Sequence, residues 1–104
     1  MYARNVSMNL KPNTAREFTR TFEKDILPIL RKQNGFKDEI TFVGTDGKDV
    51  LAISLWESKE NADRYSRETY PQVLKSLAKV VDGTPEVRGY EVVTSTLHKT
   101  TATR

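Results

Sequence analysis

The residues of this chain that can do chemistry are few and of one character. They are an amide, Asn5, an indole, Trp56, two phenols, Tyr65 and Tyr70, and a guanidinium, Arg64. An amide or an indole N–H donates a hydrogen bond to a developing anion, aromatic rings stack on a planar molecule, and a guanidinium neutralises charge. Groups that attack or ligate are nearly missing. There is no cysteine, which excludes disulfides, thiolate catalysis and cysteine metal sites. The single histidine, His98, stands in a polar tail. No paired carboxylates, nucleophile–base spacing or phosphate-binding glycine loop is present. Each candidate also has a plain structural role. Asn5 is a strand residue that can bond a neighbour or water, Trp56 ends a buried strand, Tyr65 anchors a helix, and Arg64 can simply be solvated.

The elements that must position these residues follow from periodicity. Residues 2–10 alternate, with Tyr2, Val6, Met8 and Leu10 on one side and Arg4 as the exception to it, which predicts a two-faced strand. Thr14 and Glu17 have capping-box spacing, so a helix starts there. Phe18, Phe22, Ile26, Ile29 and Leu30 mark its buried face. Pro28 lies inside that pattern and predicts a kink, and Asn34-Gly35 closes the helix. Residues 36–43 and 50–56 read as strands joined across the turn pair Asp46-Gly47. Ser58 can cap a weak helix over 59–68, whose apolar anchors are Ala62 and Tyr65. Thr69 and Pro71 open a further helix over 71–81, stopped at Asp82-Gly83, and residues 87–96 read as the last strand.

The order β-α-β-β-α-α-β predicts an α+β fold of the ferredoxin-like, split-βαβ kind, with a four-stranded antiparallel sheet and its helices on one face. The 104 residues suit one domain, residues 1–96, followed by a polar tail, 97–104. Residues 50–56 are apolar on both sides, so the face without helices needs cover, and a second copy of the chain supplies it. The net charge of +3 comes from 17 basic and 14 acidic residues whose signs alternate, which argues against a nucleic-acid partner. No apolar run reaches membrane-spanning length and no apolar leader is seen, so no membrane partner and a cytoplasmic location are expected.

Asn5, the kinked Ile26-Leu27-Pro28-Ile29-Leu30, Gly35-Phe36, and Leu55-Trp56-Glu57-Ser58-Lys59-Glu60 together resemble the antibiotic-biosynthesis-monooxygenase family. That resemblance implies a dimeric α/β barrel, in which two ferredoxin-like subunits pack sheet to sheet as a homodimer. It also implies, as one branch of the family, a cofactor-independent monooxygenase of a small aromatic or quinol substrate. Such an enzyme needs neither cofactor nor metal, because the substrate's phenolate or enolate passes an electron to dioxygen. On this reading Asn5, Trp56 and Tyr65 are the catalytic candidates. Asn5 donates to the oxyanion, Trp56 stacks, Tyr65 and Tyr70 close the pocket and relay a proton, and Arg64 with Tyr70 binds substrate.

The haem-degrading branch of that family has an Asn on the first strand, a Trp on the helix after the third strand, and a His ten positions further. Asn5 matches, but Tyr65 falls at the Trp position and Lys75 at the His position. A protonated lysine has no lone pair for iron, so haem ligation is not expected. Two readings of different class stay open: an oxygenase, and a non-catalytic homodimer that binds a small molecule or a partner. An open pocket between sheet and helices, lined by Asn5 and Trp56, favours the first. A space filled by core side chains favours the second.

Overall fold

The computed structural model describes residues 1–97. Strand β1, Tyr2–Leu10, buries Arg4, Val6, Met8 and Leu10 on one face, the alternation expected of it. A helical segment follows as α1 (Ala15–Thr21), a π-helical turn (Phe22–Ile26) and α2 (Leu27–Arg31). Strands β2 (Phe36–Val43) and β3 (Asp49–Trp56) form a hairpin, then come α3 (Lys59–Glu68), α4 (Tyr70–Leu77) and β4 (Val81–Glu91). All three strand pairings are antiparallel, in the order β2-β3-β1-β4. This is the α+β, ferredoxin-like sheet anticipated from the element order, with the helices packed on one face.

The π turn has a cause that can be read from the spacing. Phe18, Phe22, Ile26 and Leu30 recur every four residues and all are buried. In a regular helix each step of four drifts by about 40°, so the stripe would wander by roughly 120° over three steps. One extra residue in a π turn absorbs about 100° of that drift and returns the stripe to the core. Pro28 assists. It offers no N–H to the carbonyl of Lys24, and the N–H of Leu27 instead reaches back five residues to the carbonyl of Phe22. The kink expected at Pro28 is thus a change of hydrogen-bond register one turn earlier.

The helix starts are built differently from their sequence signals in two places. Thr14 occupies the cap position of α1, but its hydroxyl donates to the carbonyl of Lys11 at 2.7 Å and makes no cap bond, so the capping box is not formed. Thr69 precedes α4, and its hydroxyl bonds the Gln33 side chain at 3.3 Å instead. Ser58 does cap α3, its oxygen accepting from the N–H of Asn61 at 3.2 Å. Gly35, at φ 79°, leaves room for Asn61, whose side chain would overlap a Cβ placed there.

The last helix and strand correct the expectation. The helix ends at Leu77, and β4 spans Val81–Glu91 where a strand over 87–96 was expected. Val80 and Val81 are buried as helical spacing suggests, but Val80 closes a turn over 78–80 and Val81 begins the strand. The N–H of Lys11 bonds the carbonyl of Val80 at 2.8 Å, and Val81 pairs with Leu10. Asp82-Gly83 therefore does not stop a helix. It sits at an irregularity of the β1–β4 pairing, where Gly83 takes φ 78°.

The opposite face of the sheet carries Leu51, Ile53 and Leu55 of β3, all half-buried, beside Ile40 and Phe42, which are 53% and 49% exposed. Residues 92–97 leave β4 and share with Ile40, Ile53 and Leu55 a groove of about 560 Å³ on this face. Among the described residues no helix is long and apolar enough to cross a membrane.

Candidate functional site

A cavity of about 30 Å³ lies between the helix side of the sheet and the π turn, α2, α3 and α4. That is room for about two water molecules. Most of its wall is apolar, with Phe22, Ile26 and Leu30 among the contributors, and its polar equipment is Arg4, Glu39, Ser54, Tyr65 and Tyr70. The sheet register explains how the strand residues meet. Glu39 pairs with Ser54, and Ser54 with Arg4, so the three form one row across β2, β3 and β1.

Arg4 is 4% exposed. Its Nε donates to Ser66 Oγ of α3 at 2.8 Å, and its guanidinium carbon lies 4.0 Å from the ring centre of Tyr70 and 5.0 Å from that of Tyr65. These are cation–π contacts, which suit a weakly hydrated guanidinium. Among the described residues no carboxylate is in ion-pair contact with it. Burial pulls its pKa down, opposed by the neighbouring tyrosines, yet an arginine stays charged at neutral pH. The result is a buried cation without a counter-ion at the wall of a cavity, an arrangement that is costly unless something anionic fills it.

The two tyrosines are held in their neutral form. Burial pushes the Tyr65 phenol up to about 12, against the pull of Arg4. Tyr70 is raised for the same first reason, again opposed by Arg4. The Tyr70 hydroxyl is buried without a well-formed hydrogen bond, and the Arg4 guanidinium beside it is a donor only, so the phenol oxygen can at most accept from it. The phenol's own O–H proton, which an arginine cannot accept, is then available to a ligand. Glu39 is raised by burial, partly offset by a hydrogen bond donated by the Thr41 hydroxyl.

The candidates named from sequence divide. Tyr65 and Tyr70 meet at the cavity, with ring centres 6.0 Å apart. Trp56 is fully buried and stands behind Tyr65 at 5.1 Å, with Phe36 edge-on at 5.6 Å. Its indole N–H is spent on Ser54 Oγ at 2.8 Å, so it supports the wall and does not line the cavity. Asn5 belongs to the other face of the sheet, paired with Ile53, so the expected pocket lined by Asn5 and Trp56 is not formed. Its Oδ1 is buried there without a hydrogen-bond partner among the described residues. Arg64 is exposed on α3 and away from the cavity, as is Lys75 on α4. His98 lies outside the described residues. Arg4, Glu39 and Ser66 were not among the site candidates from sequence. The signal for Arg4 was present, a basic residue in the inward register of an otherwise apolar alternation.

Among the described residues no cluster of three His, Cys, Asp or Glu side chains is placed to hold a metal ion. By sequence the chain matches no family model and no curated protein. By structure it matches many solved chains. A monooxygenase from Streptomyces coelicolor, solved with nanaomycin D, superposes with a TM-score of 0.76 at 16% identity, covering 94% of this chain and 92% of its own. A candidate antibiotic biosynthesis monooxygenase from Bordetella bronchiseptica gives 0.75 at 14% identity, over 89% and 97%. The fold is that of the antibiotic biosynthesis monooxygenases. A cofactor-independent oxygenase from Streptomyces nogalater, with a TM-score of 0.73 at 15% identity, over 93% and 98%, shares it. At such identities the likeness extends to the monooxygenase fold and not to individual side chains.

Proposed function

We propose that the cavity binds a small planar phenol, quinol or enolisable ketone and holds its anion against Arg4, and that the chain is a cofactor-independent monooxygenase of such a substrate. The observation that carries this is the buried Arg4 guanidinium, which faces the cavity against two aromatic rings and a hydroxyl and, among the described residues, has no carboxylate in ion-pair contact. Its charge favours loss of the substrate's proton, and the resulting electron-rich anion is what reacts with dioxygen. Tyr65 and Tyr70 supply ring faces, and the Tyr70 O–H supplies a donor that Arg4 cannot use. The similar structures named as oxygenases, one solved with nanaomycin D and one described as cofactor-independent, support the same reading. A second copy covering the apolar face of the sheet completes the proposed assembly as a homodimer.

The narrowness of the cavity favours one other reading, a non-catalytic binding module. A bicyclic ligand needs several times its volume, so α3 and α4 must shift to admit one. The test separates the two. 2-Hydroxy-1,4-naphthoquinone, ionised at neutral pH, should quench protein fluorescence on binding, and Arg4→Met should weaken it about 10- to 100-fold through loss of a charge-assisted contact. Anthrone should then be oxygenated with uptake of one dioxygen per molecule, one atom entering the methylene carbon and the other leaving as water. Arg4-dependent binding without oxygen uptake assigns the module, and absence of binding removes both readings.

A further inference from the structure

One charged group on the cavity has no part in binding an anion. Glu39 is the one carboxylate among the described residues that line it, and its charge has the wrong sign to hold a phenolate. Its place is set by the sheet. The row Glu39, Ser54, Arg4 crosses three adjacent strands on the helix side. At about 4.8 Å per strand spacing, the backbones of Glu39 and Arg4 are held roughly 10 Å apart. The two make no ion pair. Between them Ser54 is already committed, accepting from the Trp56 indole and donating to the Arg4 carbonyl at 3.4 Å. A carboxylate and a guanidinium thus both border the cavity from strands two apart without pairing, Glu39 lying at the sheet edge where it also borders the open-face groove beside Asp38.

We propose that Glu39 is the base that takes the substrate's proton, with Thr41 positioning its carboxylate. The inference rests on the reading of the cavity as a site for a phenol or enol. In the step, a Glu39 carboxylate oxygen bonds the proton of the substrate's acidic C–H or O–H. The electron pair of that bond passes into the ring system and ends as negative charge on the substrate oxygen beside Arg4. Nothing else is consumed, and Glu39 is left neutral. The groups facing Glu39 across the cavity are Arg4 from β1, Tyr65 from α3 and Tyr70 from α4, while Phe22, Ile26 and Leu30 present only apolar surface. Burial raises the affinity of Glu39 for a proton and the Thr41 hydroxyl opposes that rise. A carboxylate adjusted upward in this way is a better base at neutral pH than an exposed one.

The proton step can be read without oxygen. Anthrone carries a methylene whose proton leaves to give an aromatic enolate, and in heavy water under anaerobic conditions deuterium enters that position at the rate of deprotonation, measured by proton NMR. The wild-type protein should accelerate this wash-in, and Glu39→Gln should lower the acceleration by at least about 100-fold. The same variant should bind ionised 2-hydroxy-1,4-naphthoquinone as tightly as the wild type or more so, since a repelling charge is gone, which also shows that it is folded. Thr41→Val removes the bond that favours the ionised carboxylate, so the acid limb of the wash-in rate should move to higher pH. Unchanged wash-in in Glu39→Gln, no wash-in by a wild-type protein that binds the naphthoquinone, or an acid limb that ignores Thr41→Val each overturns the assignment of Glu39 while leaving the Arg4 site in place. Failure of the wild type to bind the naphthoquinone overturns the site itself.

Discussion

Arg4 occupies the inward register of β1, a position where the alternation calls for an apolar side chain. A single such departure can mean a mis-set register, and residue types alone could not decide between that and a functional cation. The pairing of Arg4 with Ser54, and the arrival of Ser66 and two tyrosines from α3 and α4, decide it. Those contacts link residues fifty or more apart, which is why Arg64, local to the helix and conspicuous, drew the role instead. Asn5 falls on the other face for a related reason, since one step along a strand reverses the face. Tyr65 was legible as an anchor, and its chemistry is testable. Its phenol is neutral up to about 12 in the folded chain against an ordinary value of 10.0. A raised acid contributes stability that is complete below the unfolded value and is lost as pH climbs toward the folded one. Two units correspond to about 2–3 kcal/mol. Urea unfolding compared at pH 9 and pH 11.5 should therefore show a larger loss in the wild type than in Tyr65→Phe. Parallel losses would mean that other groups carry the alkaline limb.

At the scale of elements, the strongly periodic segments were legible and the failures fell at ends. The period of four across Phe18, Phe22, Ile26 and Leu30 announced a helix, and the same period, being longer than 3.6, demanded the π turn that resets it. The boundary between α4 and β4 was missed because Val80 and Val81 satisfy a helical stripe as well as a strand start. Only the pairing with Leu10 and Lys11, at the other end of the chain, distinguishes them. Helix α3 was expected to be weakly held over 59–68, and it spans those residues with Ala62 and Tyr65 as its buried anchors. Its start depends on Ser58. Ser58→Ala removes the bond to the Asn61 N–H and should cost about 1 kcal/mol in thermal or urea unfolding. The loss should be local as well as global. Amide hydrogen exchange should quicken across residues 59–68 well before it changes in β1 or β3. Since Tyr65 and Ser66 ride on this helix, a bound planar anion should slow the same amides. Exchange in α3 that ignores both the cap and the ligand would detach the helix from the site.

At the scale of the whole molecule, the two faces of the sheet have separate uses. The helix side holds the core and the cavity. The other side exposes Ile40, Phe42 and Tyr90 beside half-buried Leu51, Ile53 and Leu55, with the groove shared by residues 92–97 at its edge. Antiparallel sheets can present one face to water, but that face is then usually polar; here the β1 and β4 half is, with Asn5, Ser7, Glu86 and Arg88, and the β2 and β3 half is not. A second copy packed sheet to sheet would bury it, and wild-type protein at micromolar concentration should then sediment at about twice the 11.9 kDa of one chain. Ile53 tests which face matters. Because it is half-buried on the open side and not part of the core, Ile53→Asp should leave each chain folded, with its far-ultraviolet circular dichroism retained, while placing like charges opposite one another at the interface. The expected result is a folded species at the mass of one chain. It should still bind 2-hydroxy-1,4-naphthoquinone through Arg4, because that site lies across the thickness of the sheet. An unfolded Ile53→Asp chain would show that the open face is part of the fold's own core. A variant that remains dimeric would place the contact between copies elsewhere on the surface.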